Sequence, residues 1–153
     1  MILENHYQNA YITPDIERAI AALQDIYGAG EPLRTEVTSH LKTPKGEGDA
    51  TIKLAFLWAG KLQYELIQPV SGFTDIYLDG VDMNRLLSFH HVAMRVDDWE
   101  GFHAERDRKG WPIALEGKGR ALSYVYLDAR DTLGHYLECV NAPQAFWDSF
   151  VPK

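Results

Sequence analysis

Two stretches of this sequence open alike, and each leads on to a carboxylate set among apolar residues. Gln8 opens Gln8-Asn9-Ala10-Tyr11-Ile12-Thr13-Pro14-Asp15, and His91 opens His91-Val92-Ala93-Met94-Arg95-Val96-Asp97-Asp98, so an Asp follows each opener by seven positions. Further on come Tyr64-Glu65-Leu66-Ile67-Gln68-Pro69 and Tyr136-Leu137-Glu138-Cys139-Val140, each an apolar run interrupted by an acid. A carboxylate turned inward from such a run is costly unless it is paired, hydrated or coordinated to a cation. Pooled, Gln8, Glu65, His91 and Glu138 offer one imidazole, two carboxylates and an amide oxygen. That oxygen-rich set, without thiolate, suits a divalent ion such as Mn, Co, Ni, Mg, Zn or Fe. Two carboxylates balance the ion's charge and leave a position or two for a substrate bearing adjacent oxygens. A carbonyl polarised there gains several kcal/mol, by usual estimates, toward the enediolate left when a neighbouring proton departs.

Positioning these residues requires two copies of one order of elements. Residues 6–13 read as a strand, with Thr13 as N-cap and Pro14 as the first helical residue. Ile16, Ala19, Ile20, Leu23 and Tyr27 then recur at helical spacing until Gly28 and Gly30. A strand over 32–39, a polar loop from Leu41 to Asp49, and a hairpin of Ile52–Trp58 and Leu62–Gln68 complete the first half. The second half repeats the order: a strand over 90–96, a helix from Asp98 to Lys109, and strands over 111–116, 121–128 and 134–140, with turns at Gly117–Gly119 and Ala129–Thr132. This predicts one α+β domain, 1–153, of two βαβββ modules, 5–70 and 88–142. A connector (71–87) carries a short helix near Asp82–Leu87, the tail is 143–153, and a terminal helix is expected over Ala142–Phe150.

Alternation along a strand decides which residues share a face. His6, Gln8, Ala10 and Ile12 fall together, as do Phe89, His91, Ala93 and Arg95. On the closing strands the faces are Gln63/Glu65/Ile67 and Tyr136/Glu138/Val140. If each half rolls its sheet about a common axis, the four candidate ligands converge inside. His6, one pleat earlier, is the rival of Gln8, although the seven-residue spacing to Asp15 favours Gln8. His90 falls on the opposite face and reads as structural, and Cys139 alternates away from Glu138 as a small core residue.

Bulk composition narrows the classes of partner. With 153 residues, 46% hydrophobic and 24% charged, the chain is expected to pack as a globular protein. A net charge of −7 works against nucleic-acid phosphates and anionic lipid. No apolar run is long enough for a bilayer, and Met1–His6 lacks the features of a signal peptide. The single cysteine rules out an internal disulfide and fits a reducing cytoplasm. A small molecule is the expected partner.

The chain resembles the vicinal oxygen chelate superfamily, which includes glyoxalase I, methylmalonyl-CoA epimerase, extradiol dioxygenases and bleomycin-resistance proteins. The likeness is carried by Ala10-Tyr11-Ile12-Thr13-Pro14-Asp15, Glu65-Leu66-Ile67-Gln68-Pro69, Phe89-His90-His91-Val92-Ala93 and Asp131-Thr132-Leu133-Gly134-His135-Tyr136-Leu137-Glu138, in order along nearly the whole chain. It implies one curved, eight-stranded mixed sheet. It places the family's metal positions on Gln8, Glu65, His91 and Glu138; many members have His at the first of these. By resemblance to glyoxalase I, Glu138 or Glu65 can leave the metal and act as base, with Tyr136 and Gln63 placed to orient the oxyanion. A homodimer is also implied.

Three functions fit to different degrees. The leading reading is an enzyme, a metal-dependent lyase or isomerase/epimerase. A ferrous ring-cleaving dioxygenase typically wants two His and one carboxylate, and Gln8 leaves only His91 unless His6 steps in. A non-catalytic binder of an antibiotic or aromatic metabolite has no need of two inward acids and a His in register.

Overall fold

The structure is a computed structural model that describes residues 5–150. The stretch read for a signal peptide, in its first four residues, and the last three residues of the tail lie outside that range. The first half runs β1 (His6–Ile12), α1 (Ile16–Tyr27), β2 (Leu33–Thr43), β3 (Gly46–Ala59) and β4 (Leu62–Gly72). After α2 (Asp75–Leu78) the second half runs β5 (Ser88–Arg95), α3 (Trp99–Lys109), β6 (Ile113–Lys118), β7 (Ser123–Ala129), α4 (Arg130–Leu133) and β8 (His135–Asn141). A last helix, α5, covers Gln144–Asp148.

The eight strands close into a mixed barrel in the order β1-β4-β3-β2-β6-β7-β8-β5. Each half contributes four consecutive staves. In each, the first strand lies parallel to the last: β1 beside β4, and β5 beside β8. The halves join along antiparallel β1 and β5, and again where Leu41 and Lys42 of β2 meet Gly117 and Glu116 of β6.

Both long helices pack on the outside. α1 lays Ile16, Ala19, Ile20 and Leu23 against Ala55, Leu57 and Leu66. α3 buries only Phe102, against Val125, Leu127 and Cys139. The interior is filled partly by Ala10, Ile12, Leu41, Ile52, Ile67, Leu115 and Tyr126, and α2 adds Ile76 and Tyr77. The connector therefore packs into the barrel core.

The structure corrects four local expectations. α1 is capped by Asp15, not Thr13: the Asp15 carboxylate accepts from Arg18 N–H at 3.1 Å, while Thr13 bonds to the Asp15 backbone. α3 repeats the device, with Asp98 accepting from Gly101 N–H at 2.9 Å. A Cβ on Gly101 would stand 2.1 Å from that carboxylate, which would then have to shift. The polar stretch 41–49 is no loop. β2 and β3 pair through it, Leu41 with Gly48 and Thr43 with Gly46, leaving Pro44-Lys45 as the turn. Sheet pairing outweighs the local Gly/Pro signal. The connector helix is Asp75–Leu78 rather than one near 82–87, where the Asp82 side chain captures Asn84 N–H and makes a turn instead. The turn expected at Ala129–Thr132 is the short α4.

Candidate metal centre

Two rungs across strands β4, β1, β5 and β8 build the site. One rung reads Glu65, Ala10, His91, Tyr136, and the next Gln63, Gln8, Ala93, Glu138. A pseudo-twofold axis relates them, exchanging Gln8 with His91, Glu65 with Glu138, and Gln63 with Tyr136. Ala10 and Ala93 are fully buried at equivalent places. Their methyl groups leave room for the larger side chains beside them, since paired strand positions lie only about 5 Å apart.

The structure brings three of the four expected residues together. One ligand atom each from Glu65, His91 and Glu138 lies within 4.8 Å of the others, and no other such group of His, Cys, Asp or Glu occurs among the described residues. His91 Nε2 stands 3.4 Å from Glu65 Oε2 and 3.2 Å from Glu138 Oε2. Neither contact is aligned as a hydrogen bond, and this fully buried nitrogen has no other partner. Burial opposes a charge on His91, but the carboxylates of Glu138 and Glu65 outweigh it and push the imidazole up to about 9. Burial raises the Glu65 carboxyl above its ordinary value, with His91 opposing and the charge of Glu138 adding to the rise.

Gln8 is buried, and its amide N–H donates to Gln63 Oε1 at 2.7 Å. That bond leaves the Gln8 carbonyl oxygen uncommitted. His6, its rival, is exposed and bonds to Asn9 Oδ1 at 2.9 Å, outside the acid–imidazole group. The Tyr136 ring lies beneath the Arg130 guanidinium, 4.6 Å away, and against His90 at 4.9 Å. Arg95 is spent on Asp97, Gln144 and the face of Trp147. Cys139 is fully buried, and burial with the nearby Glu138 charge pushes its thiol up to about 12.

Alternation failed at His90, which is buried on the inside. Ala10 pairs with His91 and Tyr11 with Phe89, so His90 is an extra residue, a bulge, in β5. Its Nδ1 lies 2.9 Å from His91 Nδ1, and its Nε2 lies 2.9 Å from Ile76 O. Burial and the neighbouring His91 charge hold His90 down at about 3, so its ring is neutral. The twofold-related irregularity falls at Tyr7 in β1, whose ring packs against Trp147 and Phe150.

Sequence reasoning also missed three tyrosines. Tyr77, Tyr124 and Tyr126 belong to the interior cluster, and burial together with the Glu65 and Glu138 charges keeps their phenols protonated. The Tyr126 ring lies 4.7 Å from that of His91. The spacing Tyr124-Val125-Tyr126 on a strand was the available signal for two of them.

The residues present fit a divalent cation. His91 Nε2 between two carboxylates becomes a ready donor once a cation displaces its proton, and a cation would relieve the mutual repulsion of the acids.

A family model described as the Glyoxalase/Bleomycin resistance protein/Dioxygenase superfamily matches residues 7–126. The chain belongs to that superfamily. No curated protein matches the sequence. Among solved structures, the methylmalonyl-CoA epimerase of Mycobacterium tuberculosis is similar at 17% identity and a TM-score of 0.65, over 95% of this chain and 93% of that one. A hypothetical protein of Bacillus halodurans is similar at 18% identity and 0.64, over 90% and 94%. The Streptomyces coelicolor methylmalonyl-CoA epimerase, a variant in complex with 2-nitronate-propionyl-CoA, is similar at 17% and 0.61, again over 90% and 94%. At these identities the likeness establishes the fold.

Proposed function

We propose that this chain is a metal-dependent isomerase or epimerase that moves a proton on the carbon beside a carbonyl group. The observation carrying the reading is the convergence of Glu65 and Glu138 on a buried His91 Nε2 that has no hydrogen-bond partner. His91, Glu65 and Glu138 would hold the ion, with Gln8 as fourth ligand through its free amide oxygen. When bound, a divalent ion supplies a Lewis acid for the substrate oxygens, an effect worth several kcal/mol by usual estimates. The chain supplies the proton chemistry. Glu138 takes the proton as its carboxylate. Glu65, whose carboxyl is raised by burial, is suited to hold one and give it back. The apolar barrel lining and α2 keep bulk water from the carbanion. Similarity to the epimerases makes acyl thioesters the first substrates to try, beside α-hydroxy-carbonyl compounds.

The test is proton exchange in deuterated water, followed by NMR on the metal-loaded protein. Wild type should exchange the proton next to the carbonyl, and Glu138→Gln should abolish exchange with an unchanged circular dichroism spectrum. Exchange retained in Glu138→Gln would remove Glu138 as base. Metal bound without exchange of any candidate would favour a binding protein over an enzyme.

A further inference from the structure

We propose that His90 is a positioning residue of the candidate metal centre, holding a proton on Nδ1 of His91 so that Nε2 faces the cation. The inference rests on the metal-binding reading of that centre, and on a chain of two hydrogen bonds. Ile76 O can only accept, so His90 Nε2, 2.9 Å away, carries one proton, and among the described residues no acid pairs with this buried ring to hold a second. His90 Nδ1 is then a lone pair. His91 Nδ1, 2.9 Å from it, must donate. The nitrogen left over is Nε2, the one that stands 3.4 and 3.2 Å from Glu65 and Glu138 without a hydrogen bond of its own. The proton on one ring nitrogen thus decides which nitrogen coordinates.

Three features fix His90 in this role. The bulge in β5 turns it inward beside His91 instead of to the far face. Its ring packs against Tyr136 and Tyr77, at 4.9 and 5.8 Å. Its acceptor belongs to α2, whose Ile76 and Tyr77 are embedded in the barrel core. The segment between the halves therefore sets the tautomer of a ligand in the second half.

Two readouts test the proposal. In histidine-labelled, metal-free wild type, nitrogen NMR should show a 15N–15N coupling across the bond between the two Nδ1 atoms, with the proton on His91. Calorimetric titration with Co2+ alone should show His90→Phe weakened by about 10- to 100-fold, the usual cost of losing a partner behind a metal-bound histidine. His90→Asn, which keeps an acceptor near the Nδ1 position, should bind close to wild type. Failure to detect that coupling, a proton found on His90 Nδ1, or a folded His90→Phe that binds Co2+ like wild type would each overturn the role. If His90→Phe does not fold, the wild-type spectrum decides. If wild type binds no Co2+, the metal reading fails, while the coupling still reports whether His90 fixes the tautomer.

Discussion

The two halves of the barrel place different chemistry at equivalent corners. In the first half the corner residue is Gln8, closed off by an amide–amide bond to Gln63. In the second it is His91, backed by His90 and through it by Ile76. The residue before each is displaced by an irregularity in its strand, Tyr7 in β1 and His90 in β5. Each is met by the segment that follows one half. α2, after the first half, gives His90 a hydrogen-bond acceptor. α5, after the second, gives Tyr7 only the rings of Trp147 and, just beyond the helix, Phe150. One duplicated frame therefore yields a charged, directional corner and a neutral one. The acids are the shared part: Glu65 and Glu138 occupy equivalent positions and face the same imidazole.

The largest effect should come from erasing this difference. His91→Gln makes the second corner a copy of the first, and metal affinity should fall roughly 100-fold or more, about one ligand's share of a structural-metal binding energy. Gln8→Ala should cost less than that, and more than His6→Ala, by the same titration. A reversed ranking of Gln8 and His6 would move the site by one pleat.

A smaller effect is legible in pH. His91 is pushed up to about 9 from an ordinary 6.5, so its stabilisation is complete below pH 6.5 and is lost as pH climbs toward 9. His90, held down at about 3, acts the other way, and its stabilisation grows from about pH 3 to 6.5. The raised Glu65 opposes His90 above its ordinary 4.5. The metal-free protein should therefore lose several degrees of melting temperature between pH 6.5 and 9, and His91→Gln should lose much of that slope. An equal slope in the variant would assign the loss to other groups.

The smallest effect belongs to the counterpart of His90. Tyr7→Phe keeps the edge-on ring contacts with Trp147 and Phe150 and removes only a hydroxyl, so metal affinity should stay within about threefold of wild type. A loss as large as that of His90→Phe would mean that both corners are tuned by their preceding residue.

Much of this frame was readable before any coordinates. The repeated order of elements, the seven-residue spacing to Asp15 and Asp98, and strict alternation on β4 and β8 located Gln8, Glu65, His91 and Glu138 on inward faces. What was not readable depended on partners. A bulge exists only relative to the neighbouring strand, so Tyr7 and His90 could not be placed by counting along their own. The same holds for Thr43-Pro44-Lys45-Gly46, which looks like loop until β2 and β3 pair on either side. The α1 cap differs by two residues from the expected one because Thr13 and Asp15 both carry capping groups, and only geometry shows which one reaches the Arg18 N–H.

Anomalous diffraction from crystals soaked in Mn2+ or Co2+ tests the central claim most directly. One peak per chain, about 2.0–2.2 Å from His91 Nε2 and from an oxygen of both Glu65 and Glu138, is the expected result. A barrel interior without a peak, or an ion bound elsewhere while these three side chains stay as they are, would contradict it.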